Sequence, residues 1–91
     1  MDYYSEEKEI LIEERKKVRR ETALLYIQAR KKRKLTQEEL AKRLEVKRPN
    51  VARFESGDYN PTLDMLVKIA QCMGLKLEIS LVEESGEKEN G

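Results

Sequence analysis

A chain of 91 residues fits one small domain, and its net charge is +1 although 41% of the residues are charged. It has no histidine and a single cysteine, Cys72, so an internal disulfide is excluded and the usual ligands of a zinc site are missing. We therefore expect no metal, no cofactor and no enzymatic site. No apolar run is long enough for a membrane span or a signal peptide. We interpret Cys72 as a small helix residue, and a single thiol suits a reducing cytoplasm.

The net charge hides three blocks of opposite sign. Between Arg15 and Arg53 there are 15 lysines or arginines and four glutamates, whereas the segments before and after this block each carry a charge of −5. A basic block of this kind favours a phosphate backbone as partner. The alternative is a set of ordinary solvated helix faces.

Residues 1–20 predict a charged N-terminal helix. The first residues are expected to fray, and Ser5 can cap the helix with glutamates in its first turn. Leu11, Val18 and Leu25 recur every seven residues, but this apolar stripe is too thin to hold a helix in water by itself. We therefore expect it to pack on the core, on a second copy or on another protein.

Glu21 to Arg33 predicts either a second helix or a continuation of the first. One face of this helix is mainly apolar and is expected to belong to the core; it is made by Leu24, Leu25, Ile27, Gln28 and Ala29. The basic run from Lys31 to Lys34 ends the helix, and together with Lys42 and Arg43 it is expected to attract phosphates generally.

The centre of the chain, residues 35–60, predicts two short helices joined by a tight turn. Thr36 and Glu39 have the spacing of a capping box, and apolar residues follow at spacings of three and four, at Leu40, Ala41 and Leu44. The second helix has Pro49 in its first turn and ends near Gly57, with Val51 and Phe54 turned inward. Two such helices, the second carrying long polar side chains, indicate a helix-turn-helix.

Beyond this motif, Thr62 caps another predicted helix that Gly74 ends and that is expected to be largely buried. Residues 75–82 alternate apolar and polar, which predicts a strand with Leu75, Leu77, Ile79 and Leu81 on one face. Because no second strand is visible, we expect the strand to pair with its copy across a two-fold axis. The alternative is a short fifth helix or an ordered tail, and residues 83–91 are expected to be a disordered acidic tail.

The central residues resemble the Cro/C1-type (Xre) helix-turn-helix domain of phage repressors and many bacterial regulators. The match runs from Ala23 to Gly74, and its signature residues are Gln37, Ala41, Val51, Glu55, Gly57 and Pro61. The resemblance implies an all-α, lambda-repressor-like bundle over residues 21–74, here with an extra N-terminal helix and a C-terminal strand. The longer layout resembles a HigA-type antitoxin, which implies a homodimer, a double-stranded DNA operator and a small RNase-type toxin as partners in a bacterial, nucleoid-associated setting.

The resemblance also implies roles for individual residues. Base edges would be contacted by Arg48, Pro49 and Arg53, and phosphates by Gln37, Asn50 and Ser56. A structural ion pair would join Arg30 and Glu55. One departure is Glu45, where the family often has glycine, so this residue must accept a positive φ or the turn must open.

Side-chain chemistry adds to these roles. The guanidinium fork of arginine matches O6 and N7 of guanine, which favours Arg48 and Arg53 as base readers, although either could bind phosphate only. Lys47 is expected to contact a phosphate. We interpret the chain as a repressor that is also the antitoxin of a HigBA-like pair, with the N-terminal helix binding the toxin through Glu6 to Arg20. Two alternatives remain, a plain Xre regulator of phage type without a toxin and a protein-interaction adaptor that does not bind DNA.

Overall fold

The computed structural model describes the backbone of residues 2–84 and the side chains of residues 8–84. It is all-helical in this range, as predicted, with four helices: α1 (Asp2–Lys32), α2 (Gln37–Leu44), α3 (Arg48–Glu55) and α4 (Leu63–Cys72). Among the described residues, none of the helices has the length and apolar character needed to cross a bilayer.

Helix α1 is a single helix of 31 residues, so the predicted boundary between residues 1–20 and 21–74 is not a break in the chain. The segment contains no glycine or proline, and nothing in it favours a helix end. The helix begins at Asp2, ahead of the predicted cap at Ser5. From residue 8 to 18 every side chain is exposed, because this half extends past the other helices.

The core-facing side of α1 differs from the predicted one. Ala23, Tyr26 and Arg30 are buried, at spacings of three and four, whereas Leu24 and Leu25 are 52% and 65% exposed. A helix buries only one stripe, and here an aromatic ring and an arginine stem fill it better than the two leucines would. The sequence pattern was therefore wrong for Leu24 and Leu25, and also for Gln28, which is exposed.

Tyr26 joins α1 to the rest of the core. Its ring meets that of Phe54 edge-to-face with 5.2 Å between centroids, and its hydroxyl donates a hydrogen bond of 2.8 Å to the Leu66 carbonyl. The inward residues predicted for α2 and α3 are confirmed as buried. The core cluster consists of Tyr26, Leu40, Ala41, Leu44, Val51, Phe54, Ile69, Ala70 and Met73.

The predicted caps are present. Thr36 Oγ1 accepts from the Glu39 amide at 3.0 Å while Glu39 Oε1 accepts from the Thr36 amide at 2.8 Å, which completes the capping box of α2. Thr62 caps α4 with a single bond, because its Oγ1 accepts from the Met65 amide at 3.0 Å. Helix α4 is less buried than predicted, because Leu63 and Val67 are 60% and 40% exposed.

The strand predicted over residues 75–82 is absent from the single chain. Residues 75–84 have neither strand nor helix, so the predicted alternative of a fifth helix fails, whereas that of an ordered tail agrees with the packing of Leu75 and Leu77. Leu75 and Leu77 pack half-buried against the core, whereas Ile79 and Leu81 are 67% and 97% exposed. A strand needs a partner for its backbone groups, and the described residues supply none. Pairing with a second copy stays a prediction, and the predicted tail lies largely outside the described residues.

Candidate nucleic-acid interface

The turn between α2 and α3 is tight. It shows which of the two predicted outcomes applies at Glu45, a positive φ or an opened turn. That residue adopts φ = 61° and ψ = 42°, so it accepts the left-handed conformation and the turn does not open. The amides of Glu45 and Val46 then donate to the carbonyls of Lys42 and Ala41 and close the end of α2. This turn fixes the direction in which α3 leaves.

Helix α3 has one buried and one exposed side. Val51 and Phe54 are 2% and 4% exposed and anchor the helix in the core. The residues predicted to face DNA from this region are all solvent-exposed: Lys47, Arg48, Pro49, Asn50, Arg53 and Ser56. Because the anchored side is short and fully packed, the exposed side chains have a rigid base.

An ion pair fastens the C-terminal end of α3 to α1. Arg30 Nε lies 2.7 Å from Glu55 Oε2, and its Nη2 donates to Oε1 at 3.0 Å, so the contact is bidentate. The two side chains are 9% and 6% exposed. Arg30 Nη1 also donates to the Leu35 carbonyl at 2.7 Å, so each of the three guanidinium nitrogens makes one hydrogen bond. These are the two residues that the family resemblance pairs.

Gln37, predicted as a phosphate contact, lies between this ion pair and Arg48. Its Nε2 donates to Glu55 Oε1 at 2.9 Å, and its Oε1 accepts from Arg48 Nη1 at 2.9 Å. An amide nitrogen has two hydrogens, so one of them stays available to a phosphate. A chain of hydrogen bonds thus runs from the buried pair to an exposed, predicted base reader.

Arg53 is also held in place. Its Nη2 donates to Asn50 Oδ1 at 2.9 Å, and its guanidinium lies 5.5 Å from the centroid of the Tyr59 ring. Ser56 donates to the Arg53 carbonyl at 2.7 Å and accepts from the Asp58 amide. Sequence reasoning missed Tyr59, because it lies in an irregular turn where spacing gives no sign of what the ring contacts.

Two arginines counted as general attractors of phosphate have a structural role. Arg33 Nε donates to the Met73 carbonyl at 2.7 Å, and Arg43 Nη1 donates to the Cys72 carbonyl at 2.9 Å. Both bonds satisfy carbonyls at the C-terminal end of α4, where cations are favourable. The other four residues predicted to attract phosphates are exposed lysines: Lys31, Lys32, Lys34 and Lys42.

The arrangement can recognise a polyanion with a patterned surface. Two exposed arginine forks lie on α3, and amide, hydroxyl and ammonium donors occupy neighbouring exposed positions. Within residues 8–84, no group of three or more histidine, cysteine or carboxylate side chains is placed to hold a metal ion.

Comparison with known proteins agrees with this geometry. The helix-turn-helix family model matches residues 27–79. An uncharacterized HTH-type transcriptional regulator of Methanocaldococcus jannaschii is 43% identical over 53 residues, which are 58% of this chain and 80% of that protein. Similar regulators occur in Archaeoglobus fulgidus, 48% identical over 48% of this chain and 62% of the relative, and in Methanothermobacter thermautotrophicus, 39% identical over 65% and 88%. No solved structure matches the chain. By sequence and by arrangement, the chain belongs to the helix-turn-helix family.

Proposed function

We propose that this protein is a transcriptional repressor that binds double-stranded DNA sequence-specifically through α3. The observation that carries the proposal is the two-sided α3, anchored by Val51 and Phe54 and presenting Arg48 and Arg53 to solvent. The names of the archaeal relatives, all HTH-type transcriptional regulators, support the same function.

Within this function the exposed residues divide into two groups. Arg48 and Arg53 read base edges, for which their planar forks are suited, and Pro49 contacts a thymine methyl or sets the start of α3. The second group fixes the domain on the phosphate backbone and consists of Gln37, Lys47, Asn50 and Ser56. Preorganisation matters here, because an arginine that is already hydrogen-bonded loses less side-chain entropy on binding.

A dimer completes the proposal. One eight-residue recognition helix covers only a few base pairs, which is too few for selective binding to one operator. Two chains related by a two-fold axis would read two half-sites about 34 Å apart, on an inverted repeat. Exposed apolar residues outside the core offer contact area for such a homodimer, at Ile79, Leu81 and Val82.

The test is selection of duplexes from a randomised pool by the purified protein. We expect an inverted repeat with half-site centres about 10 base pairs apart, bound by two chains as measured by sedimentation. Enrichment of a single asymmetric site would contradict the dimer. Failure to enrich any sequence, with no retention of duplex at low salt, would contradict DNA binding and favour a protein-interaction adaptor.

A second candidate function, the antitoxin of a HigBA-like toxin–antitoxin pair, is favoured by one observation. Helix α1 exposes Leu11 by 54% and Val18 by 49% in its projecting half, where no described helix covers them. Large apolar side chains in such a row are typical of a surface that binds another protein. A small toxin encoded beside the gene would be the partner.

Co-expression with the product of the neighbouring reading frame tests this second candidate. Leu11→Ser with Val18→Ser removes the apolar contact without adding charge, so it should abolish co-purification and leave DNA binding unchanged. A matched change of two exposed α1 residues on other faces, Glu13→Gln with Lys17→Gln, should leave co-purification intact. No toxin beside the gene would leave a plain regulator of the same family.

A further inference from the structure

The core-facing stripe of α1 changes from apolar to cationic side chains where the helix extends past the other helices. Ala23 and Tyr26 are buried on this face, and Arg19 and Arg15 continue it toward the N-terminus at steps of four residues. Arg19 is half-buried and Arg15 is exposed. A stripe that is apolar inside the domain and cationic beyond it suits an anionic partner next to the domain.

This cationic face lies beside the loop that follows α3. A Cβ on Gly57 would be 3.3 Å from Arg20 Cγ, so the loop touches α1 at that point. Asn60, from the same loop, lines one groove with five residues of α1: Leu11, Glu14, Arg15, Val18 and Arg19. The loop also contains Tyr59, whose ring lies against Arg53 on the proposed DNA-reading side of α3.

Neither arginine is neutralised within the described part of the chain. The ion pairs found among residues 8–84 are Arg30 with Glu55 and Lys76 with Glu78. Arg15 and Arg19 therefore keep their charges available, and both have the delocalised fork that binds phosphate oxygens well.

We propose that Arg15 and Arg19 bind the DNA phosphate backbone beside the half-site, which makes α1 a second DNA-contacting element. The major groove is about 8.5 Å deep, so the phosphates that border it lie beside a helix placed in the groove. An element next to that helix can therefore contact them. Tyr26 of α1 packs against Phe54 on the buried side of α3, so the core-facing side of α1 is directed the same way as the exposed side of α3. This inference rests on the proposed function and extends its footprint.

A salt titration measures the effect. Each neutralised phosphate contributes about 0.9 to the slope of log K against log[salt]. Arg15→Gln with Arg19→Gln should reduce the slope by about 1.8 and weaken binding by up to about 60-fold at 0.1 M salt. The probe is a random-sequence 30-base-pair duplex followed by fluorescence anisotropy, because backbone contacts need no operator.

Two control variants make the result specific. Lys17→Gln with Lys76→Gln removes the same charge from exposed positions outside this face and should change the slope by less than half as much. Arg15→Lys with Arg19→Lys keeps the charge and should retain most of the slope, which a purely structural role for the arginines would not predict. Circular dichroism melting confirms that each variant is folded.

The outcomes separate the two proposals. If the wild-type protein does not bind the random duplex at low salt, the proposed function itself is contradicted. If the wild-type protein binds and the double glutamine variant keeps the wild-type slope, only the role of α1 is overturned. Equal losses in both glutamine pairs would also overturn it, because the effect would then be one of net charge.

Discussion

Loss of the Glu55 carboxylate should destabilise the domain far more than loss of any exposed ion pair. Glu55→Ala removes the acceptor of three hydrogen bonds, two from Arg30 and one from Gln37. It leaves the Arg30 charge buried, with a side chain 9% exposed. Breaking such a pair from one side costs about 3–5 kcal/mol, a large part of the roughly 5–14 kcal/mol expected for a chain of this length.

Urea unfolding followed by circular dichroism measures this loss. With a slope of about 1 kcal/mol/M, the midpoint should fall by roughly 3 M or more. The matched control is Glu78→Ala, which breaks a 3.9 Å pair whose two side chains are at least 80% exposed and should cost less than about 1 kcal/mol.

A double variant tests the reason for the loss. Arg30→Met with Glu55→Leu removes both charges, so most of the stability should return, because an apolar pair of similar volume avoids the desolvation penalty. If Glu55→Ala cost less than about 1 kcal/mol, the pair would not hold α3 to α1. If the double variant were less stable than Glu55→Ala, an uncompensated charge would not be the cause.

Three further outcomes follow from single contacts. Tyr26→Phe should lower the free energy of unfolding by about 1 kcal/mol, because the hydrogen bond to the Leu66 carbonyl is lost. Burial raises the pKa of the Tyr26 phenol, so the folded wild type loses stability as the pH rises above 10.0. The variant has no phenol and should lose less. Glu45→Gly should raise the free energy of unfolding by about 0.5–1 kcal/mol, since glycine adopts the positive φ without strain; a lower melting temperature would refute this. Hydrogen bonds from Thr36 lower the pKa of Glu39, so the stabilisation from the Glu39 carboxylate is present above pH 4.5 and is lost as the pH falls through the lowered pKa. Stability measured by urea unfolding between about pH 6 and pH 3 should therefore fall less steeply in Glu39→Gln than in the wild type.

Local chemistry made α2 and α3 predictable from the sequence. A capping box needs only Thr36 and Glu39 at the right spacing, and the inward residues Val51 and Phe54 follow from helical periodicity. The exposed positions of α3 follow from the same periodicity. These features depend on neighbours within a few residues, which the sequence shows directly.

The failures involve residues whose surroundings come from distant parts of the chain. Which stripe of α1 is buried depends on contacts with Phe54 and Leu66, so Leu24 and Leu25 could not be excluded from the core by spacing. The link from Glu55 through Gln37 spans 18 residues of sequence and exists only once α2 and α3 are packed. The alternation in residues 75–82 indicates a strand only where a second strand is available.

The most direct test of the central claim is the specificity ratio of Arg48→Ala with Arg53→Ala. The ratio compares affinity for the selected inverted repeat with affinity for a random duplex, measured at one salt concentration by anisotropy. Each bidentate base contact is worth about 1–3 kcal/mol, so the double variant should lose about 30-fold or more of the wild-type ratio while retaining most of its binding to the random duplex. A ratio equal to that of the wild type would contradict the account, because α3 would then not read the sequence.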